Sequence, residues 1–260
     1  MPELPDQPLI AHLEALRNAL LNMLYMTAAL YPAAYWITPE VIDFLVRWSC
    51  PPEMGQLNYF TPMEVFIARL KLALVLALAA AFPFNAWQLW RFLMPALYES
   101  ERRALKWWIG ASTLLFVMGA GFCLGTILPL LMRFSAGFAT PNLKPVIGLA
   151  GFLELSGWLL LSFGLMFQFP LAVILAVRFG AVRVETLRRG RPYVVVGILI
   201  LAAILTPPDV VSQLLLAVPT WILSEIGLLI AARQQKRREA AAAAELDDAV
   251  LDVYRQDNES

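Results

Sequence analysis

The sequence predicts an all-α, polytopic membrane protein with six transmembrane helices, the last two of them short. Hydrophobic residues make up 60% of the 260 positions and charged residues only 15%, and a soluble domain of this size could not bury so much apolar surface. Several segments run without a charge for the roughly 20 residues that a helix needs to cross the hydrocarbon core of a bilayer. The chain is therefore expected to fold within a lipid membrane.

Six apolar segments are separated by polar or proline-containing loops. They lie at about residues 19–36, 72–93, 107–132, 149–177, 193–205 and 210–232. The stretch after residue 232 is charged and rich in alanine, which is typical of a fraying helix in solvent. The expected organisation is a membrane domain over residues 1–232 and a mobile cytoplasmic tail over residues 233–260.

The residues before the first span predict a short amphipathic helix. Leucines recur there at helical spacing, at Leu9, Leu13, Leu16 and Leu20. Polar side chains interrupt them, so this helix is expected to lie at the membrane surface and to run directly into the first span.

The fifth segment is too short for a bilayer of ordinary thickness. It provides roughly 20 Å of helix, at about 1.5 Å per residue, against a hydrocarbon core of about 30 Å. Either the bilayer thins around it or its ends are buried in protein. The sequence Thr206-Pro207-Pro208-Asp209 follows. Adjacent prolines end a helix and Asp209 is a good N-cap, so a tight hairpin is expected.

Basic residues indicate the orientation. They are concentrated in the loops on one side, around Arg102, Arg188 and Arg237, and are sparser in the loops on the other side. Because basic loops stay in the cytoplasm, both termini are predicted to be cytoplasmic. The outer loop over residues 37–62 contains several prolines and is expected to form a cap with short helices.

Several function classes find no support in the sequence. The net charge is zero, so overall charge indicates no nucleic-acid partner. One histidine and two cysteines form no metal-ligand pattern, and Cys50 and Cys123 are expected at different depths, which argues against a disulfide. No phosphate-binding loop or catalytic constellation is present. The expectation is a non-enzymatic protein without cofactor or metal.

Polar residues inside the spans are candidates for function because each is costly there. They are Asn85, Gln88, Gln168, Gln213 and Glu225. For Asn85 we favour a structural hydrogen bond between helices, whereas Gln168 and Glu225 are balanced between packing and function. The sequence Gly121-x-x-x-Gly125 in the third span is a weak motif for close helix contact.

The most informative stretch is FPFNAWQLWRFLMPALYESERR, residues 82–103. It contains Pro83, passes through Trp87, Trp90 and Arg91, breaks at Pro95, and ends in Glu99, Glu101, Arg102 and Arg103. A helix that leaves the membrane through aromatic residues into a loop with carboxylates is typical of a binding surface at the cytoplasmic face. The alternative is that the aromatic and basic side chains are only interfacial anchors.

The chain resembles the TatC family, the multi-spanning receptor subunit of twin-arginine protein translocation, from Gln7 to about Arg233. The motifs that carry the resemblance are QPLIAHLEALRNALLN, FTPMEVFIARLK, PFNAWQLWRFLMPALYESERR, FGLMFQFPLAV, RRGRPYVVVG and LTPPDVVSQLLLAVPTWILSEIG. They occur in the family's order and at matching spacing. The resemblance implies a concave, glove-like bundle in the bacterial cytoplasmic membrane.

The resemblance also implies roles for individual residues. Glu101 corresponds to the carboxylate that meets the paired arginines of a signal peptide. Gln168 stands where some members have an intramembrane glutamate, so a groove-lining role without charge is implied. The expected groove or partner contacts are Gln88, Gln168, Pro170, Asp209, Gln213 and Glu225.

The N-terminal motif departs from the family pattern. The family places a glutamate directly before its Leu-Arg pair, whereas here that position is Ala15 and Glu14 precedes it. A shift by one residue turns a side chain by about 100° around the helix. Arg17 remains in place, and the second carboxylate for the signal is left open between Glu14 and Glu99.

The resulting hypothesis is recognition without catalysis. The signal peptide's arginines dock on Glu101, and its apolar stretch lies in the groove. Membrane lipid and single-span subunits of the TatA and TatB types are implied as partners in an oligomeric complex, with the proton-motive force driving export of folded proteins. The alternatives are a secondary transporter for small molecules or ions, and an assembly scaffold that transports nothing.

Overall fold

The computed structural model describes residues 9–51, 57–93, 102–138, 146–180, 182–206 and 210–258. The regular elements of these residues are helical, and a single parallel bridge joins Asn58 to Gly148. In chain order the helices are α1 (Leu9–Trp36), α2 (Thr38–Ser49), α3 (Pro62–Leu93), α4 (Arg102–Phe122), a π-helical turn (Cys123–Ile127), α5 (Leu128–Ala136), α6 (Leu149–Met166), α7 (Phe169–Arg178), α8 (Val184–Arg189), α9 (Arg191–Leu205) and α10 (Val210–Asn258).

Within the part of the chain that the structure describes, four helical stretches are long and apolar enough to cross a membrane. They are Pro62–Phe92, Lys106–Ala136, Leu149–Arg178 and Val210–Arg237, and Arg191–Leu205 is a shorter apolar helix. The all-α prediction is confirmed for the described residues. The expected continuation of the N-terminal helix into the first apolar segment is also confirmed, since α1 is one helix from Leu9 to Trp36. This helix is not among the four stretches, so its role as a span stays a prediction.

The chain divides into two compact units, and residues 1–167 with 202–216 form the first. Within it α3 packs against α1, α4 and α6. A stripe of small residues at four-residue spacing, Ala73, Ala77 and Ala81, is completely buried along α3. Small side chains let helix backbones approach closely, which favours helix association where lipid gives no hydrophobic driving force between helices.

A close contact between α4 and α6 involves Gly119, which the GxxxG pattern did not identify. A Cβ added at Gly119 would lie 2.5 Å from the Phe163 carbonyl oxygen and 2.8 Å from Phe167 Cγ. At Gly121 and Gly125 an added Cβ meets no atom within 4 Å. Among the described residues, the prediction of a close helix contact at Gly121 and Gly125 is therefore wrong, because this face of α4 points away from α6.

A second close approach joins three helices through one aromatic side chain. The Phe116 ring of α4 stacks on Phe82 of α3 with ring centroids 3.8 Å apart, and its opposite edge fills the space where a Cβ of Gly164 on α6 would stand. Gly164 therefore makes room for the ring that fixes the spacing of α3, α4 and α6.

The outer loop forms one helix of the expected cap. This helix, α2, contacts α5, and Trp48 Nε1 donates a hydrogen bond of 3.0 Å to the Leu124 carbonyl oxygen in the π-helical turn. Such a turn leaves carbonyl groups out of the regular α-helical pattern. The indole N–H satisfies one of them.

The second unit comprises residues 168–201 and 217–260. Its closest backbone approach lies between α7 and α10, where a Cβ at Gly227 would be 2.9 Å from Pro170 Cα. The α10 backbone remains helical to Asn258, so the tail continues the helix of the last span. Mobility of the tail stays a prediction.

The final hairpin was expected to have a tight Pro-Pro turn and a fifth helix too short for a bilayer of ordinary thickness. The Pro207-Pro208-Asp209 turn lies outside the described residues, between the end of α9 at Leu205 and the start of α10 at Val210. Near the two ends of α9, Tyr193 is 82% exposed and Ile204 73% exposed. The described part of the chain therefore does not cover these positions of the short helix, which favours local bilayer thinning over burial in this chain.

Candidate functional site

The candidate signal-binding segment connects α3 to α4. Glu99 and Glu101 lie within residues 94–101, outside the described residues. The structure describes both flanks of this segment. Helix α3 ends at Leu93 and α4 begins at Arg102, so Glu101 directly precedes the first residue of α4.

A buried tryptophan pair joins the two flanks. Trp90 near the end of α3 is 6% exposed and Trp108 in α4 is 1% exposed, with ring centroids 4.9 Å apart. Trp107 meets Trp108 edge to face at 5.3 Å. Because these large rings are packed against each other, the ends of the 94–101 segment are held at a fixed separation. The sequence placed Trp90 in an aromatic belt and did not indicate that its ring is covered by Trp108.

The neighbouring side chains of α3 do fit an interfacial anchor. The Arg91 guanidinium carbon lies 5.8 Å from the Trp87 ring centroid, and both residues are exposed. A guanidinium over an indole face gains a cation–π interaction while the charge stays in contact with solvent. The predicted exit of α3 from the membrane is consistent with this pair.

The two candidate residues of α1 are both accessible. Glu14 and Arg17 are exposed, and they are three residues apart on one helix, so their side chains lie on adjoining positions of its surface. Ala15, where the resemblance implies a glutamate, is exposed as well. A carboxylate is thus available on α1, displaced around the helix from the usual position.

Two amides lie one turn apart near the C-terminal end of α3. Gln88 is 6% exposed, and the buried Asn85 Oδ1 accepts no hydrogen bond from the described residues. The structural hydrogen bond expected for Asn85 is therefore not made by this oxygen. A buried carbonyl without a donor is costly, and it offers an acceptor to a group from outside.

The remaining candidate residues fall in different parts of the chain. Gln168 precedes α7, is half-buried, and its carbonyl oxygen accepts a 3.1 Å hydrogen bond from Ala172 N. Pro170 is buried against Gly227 in the second unit. Gln213, in the first unit, is half-buried, and Asp209 lies outside the described residues.

Glu225 forms an ion pair that the sequence did not indicate. Its Oε2 accepts a hydrogen bond of 2.8 Å from Arg191 Nη2, and the two side chains are 25% and 55% exposed. Arg191 begins α9, 34 residues before Glu225 in the chain. Because Arg191 stands at the start of an apolar helix, the sequence could have marked it as a cation near the membrane boundary. The distance along the chain did not connect it to Glu225. The intramembrane carboxylate is thus neutralised within the second unit.

We expect Glu225→Gln to lower the free energy of unfolding by about 1 kcal/mol, the range for a partly exposed ion pair. The measurement is thermal unfolding of the purified protein in detergent, with Arg191→Gln and the double variant as the other corners of a double-mutant cycle. The double variant should lose less than the sum of the single losses, because both single changes remove the same interaction. Additive losses would show that the pair contributes nothing.

Groups of three or more histidine, cysteine or acidic side chains that could hold a metal ion do not occur among the described residues. The side chains proposed for the site are carboxylates, amides and aromatic rings. Such groups recognise cationic side chains.

Comparisons with known proteins identify the family of the chain. Residues 11–219 match the family model described as TatC, Sec-independent protein translocase protein. The chain is 34% identical over 233 residues to the Sec-independent protein translocase protein TatC of Azotobacter chroococcum, covering 88% of this chain and 90% of that one. It is 34% identical over 225 residues to the protein of the same name from Escherichia coli strain K12, covering 85% and 87%.

A solved structure has the same fold. The crystal structure of the twin-arginine translocase receptor TatC superposes with a TM-score of 0.76 at 29% identity, over 85% of this chain and 98% of that chain. The family match covers more than half of the chain, and relatives above 30% identity align over most of both lengths. The chain therefore belongs to the TatC family of Sec-independent protein translocase proteins.

Proposed function

We propose that this protein is the signal-peptide receptor of a twin-arginine translocase and that Glu101 binds the paired arginines of the signal peptide. Its role as a subunit of the Sec-independent protein translocase follows from family membership. The proposed role of Glu101 is supported by the Trp90–Trp108 contact, with ring centroids 4.9 Å apart. This contact fixes both ends of the segment that contains Glu101. Helix ends that are already fixed lower the ordering cost of binding a ligand beside them.

The chemistry of the pairing explains why arginine is required. A guanidinium presents a planar fork of N–H donors that a carboxylate accepts through both oxygens. The exposed Glu14, or Glu99 next to the site, supplies the second carboxylate in this proposal. The apolar stretch of the signal then lies along the spans, in the groove that Gln168 lines in this proposal.

The rest of the proposal concerns the assembly. The protein has six spans in a concave bundle, lies in the bacterial cytoplasmic membrane and has both termini in the cytoplasm. It assembles with single-span TatA-type and TatB-type subunits, which pass the folded precursor across under the proton-motive force. The receptor catalyses no reaction of its own. The Arg191–Glu225 pair, at 2.8 Å, supports this reading over an ion carrier, because it neutralises the one carboxylate well placed for a proton relay.

Replacing both arginines of a signal peptide by lysine is expected to weaken binding about tenfold or more, although the charge is unchanged, because lysine cannot make the bidentate contact. The measurement is a binding titration of the detergent-purified protein with the twin-arginine peptide, its twin-lysine form and a twin-glutamine form. The affinity of the twin-glutamine peptide shows how much binding is lost when the positive charge is removed. Equal affinities for the arginine and lysine peptides would exclude bidentate recognition.

Labelling of Cys50 tests the orientation. Cys50 follows α2 on the predicted outer face, and burial raises the pKa of its thiol. Because the thiolate is the reactive form, a membrane-impermeant maleimide should label intact spheroplasts slowly at neutral pH, and the rate should rise about tenfold per pH unit below the raised pKa.

In the same experiment the buried Cys123 should stay unlabelled, so a Cys50→Ser variant serves as the control and should give no signal. Preferential labelling in inverted vesicles would place α2 on the cytoplasmic side and reverse the proposed orientation.

A further inference from the structure

We propose that a cleft between α3 and α6 is a binding site for a phospholipid whose headgroup carries a primary ammonium, as phosphatidylethanolamine does. The cleft has a volume of about 340 Å³, at the lower end of the range for ligand pockets. Its apolar wall is formed by Leu74, Val75, Leu78, Gly157, Trp158 and Leu161, and an ion pair closes one end. Every lining residue belongs to the first unit.

The ion pair joins Lys71 of α3 to Glu154 of α6. Lys71 Nζ lies 3.1 Å from Glu154 Oε1, and the side chains are 55% and 50% exposed. An ammonium has three N–H donors, and a carboxylate accepts at about four lone-pair positions. One contact between them leaves both groups able to bind a further partner. Both side chains are about half exposed and therefore accessible to that partner.

The pair lies at the level expected for lipid headgroups. The next charged residue of α3 after Lys71 is Arg91, and the next charged residue after Glu154 is Arg178. Each charge-free stretch is long enough to cross the hydrocarbon core. Lys71 and Glu154 therefore mark the boundary of the core on two helices that both start at this end, where the Asn58–Gly148 bridge ties the chain together.

The cleft extends from this boundary into the hydrocarbon region. From Lys71 to Leu78 and from Glu154 to Leu161 the two helices each advance about 10 Å. Gly157 lies at the base of the cleft, where an added Cβ would be 3.1 Å from Val75 Cγ2. A helix is about 10 Å across, so its body does not fit inside a cleft of 340 Å³, whereas an extended acyl chain does.

Charge complementarity selects the headgroup. A lipid phosphate accepts from Lys71, and a primary ammonium donates to Glu154, so both ends of the ion pair gain a charge-assisted hydrogen bond. A quaternary ammonium has no N–H to donate, and an anionic headgroup without an amine brings its negative charge next to Glu154. The nearby cation Arg69 is already engaged, with its Nε donating to Thr38 Oγ1 at 3.3 Å and its guanidinium over Tyr35 at 5.1 Å.

The test is native mass spectrometry of the purified full-length protein, titrated with phosphatidylethanolamine, phosphatidylcholine and phosphatidylglycerol that have identical acyl chains. We expect the ethanolamine lipid to bind about tenfold more tightly than the choline lipid, the effect of one charge-assisted hydrogen bond. Glu154→Gln should remove this preference, and Lys71→Met should weaken binding of all three lipids.

A second pair of variants tests the cleft itself. Leu78→Trp fills the cleft and should abolish specific lipid binding, whereas Leu114→Trp, at a 61% exposed position of α4, should leave it unchanged. Equal affinities for the three lipids, a preference that survives Glu154→Gln, or equal effects of the two tryptophan variants would overturn the proposal. Binding of a twin-arginine peptide, measured on the same samples, shows that each variant is folded and separates this result from the receptor function.

Discussion

Glu101→Ala is expected to reduce binding of a twin-arginine peptide about a hundredfold or more. Removing one partner of a desolvated, hydrogen-bonded charge pair costs several kcal/mol, because the other charge is left without its counter-ion. The measurement is a peptide titration of the detergent-purified variant, together with photo-crosslinking from position 101 in membranes that contain a folded precursor. The fold should be unaffected, since Trp90 and Trp108, which hold the flanks, are untouched.

The matched control is Glu185→Ala. Glu185 is an exposed glutamate in the first turn of α8, on the same predicted face of the membrane. Its removal changes the net charge by the same amount and should leave the affinity within about twofold, the scale of a screened surface charge. If Glu101→Ala binds the peptide as well as the unchanged protein does, or if both variants lose affinity equally, Glu101 is not the arginine site.

Gly119→Val is expected to be the most destabilising single change among the glycines of α4. The new Cβ would lie 2.5 Å from the Phe163 carbonyl oxygen and 2.8 Å from Phe167 Cγ, and the first of these is backbone that cannot rotate away. Overpacking of this kind costs about 3 kcal/mol. The apparent Tm in detergent should fall by roughly 10 °C for a chain of this length.

Gly121→Val provides the control two residues further along the same helix. An added Cβ at Gly121 meets nothing within 4 Å, and the intrinsic helix propensities of the two substitutions are the same. The difference in Tm therefore isolates the contact between α4 and α6. Equal melting temperatures would mean that this contact is absent in the membrane protein.

Chain length and charge distribution were sufficient to predict most of the helices. Each predicted span lies on one or more helices, because an apolar segment must satisfy its backbone hydrogen bonds within itself in lipid. A short helix such as α2 was also expected, in the long proline-containing loop over residues 37–62. Four stretches are long and apolar enough to cross a membrane, and the short α9 was recognised from its length alone.

Side-chain partners could not be predicted in the same way. Gly119 and Gly121 are two residues apart in the same sequence context, and only the direction of α6 decides which of them is in contact. Trp90 and Trp107 look equally interfacial in the sequence, yet Trp90 is 6% exposed and Trp107 55%. The partners Arg191 and Glu225 are separated by 34 residues, and periodicity carries no information over that distance.

The candidate site was predicted by resemblance rather than by physics. Glu101 was identified from the motif around it, whereas the structure describes the helices on both sides of its segment. What the structure added are contacts that no motif contains: the Trp90–Trp108 pair, the Arg191–Glu225 ion pair and the cleft below Lys71 and Glu154.

The π-helical turn at Cys123–Ile127 lets one continuous helical stretch contact α6 before the turn and α2 after it. Such a turn inserts about one extra residue, which rotates everything after it by roughly 100° relative to an unbroken helix. The residues before the turn face α6, and those after it face α2. Deleting one residue here would straighten the span and swing the Leu128–Ala136 side chains off the outer cap, uncoupling the two halves of a single helix.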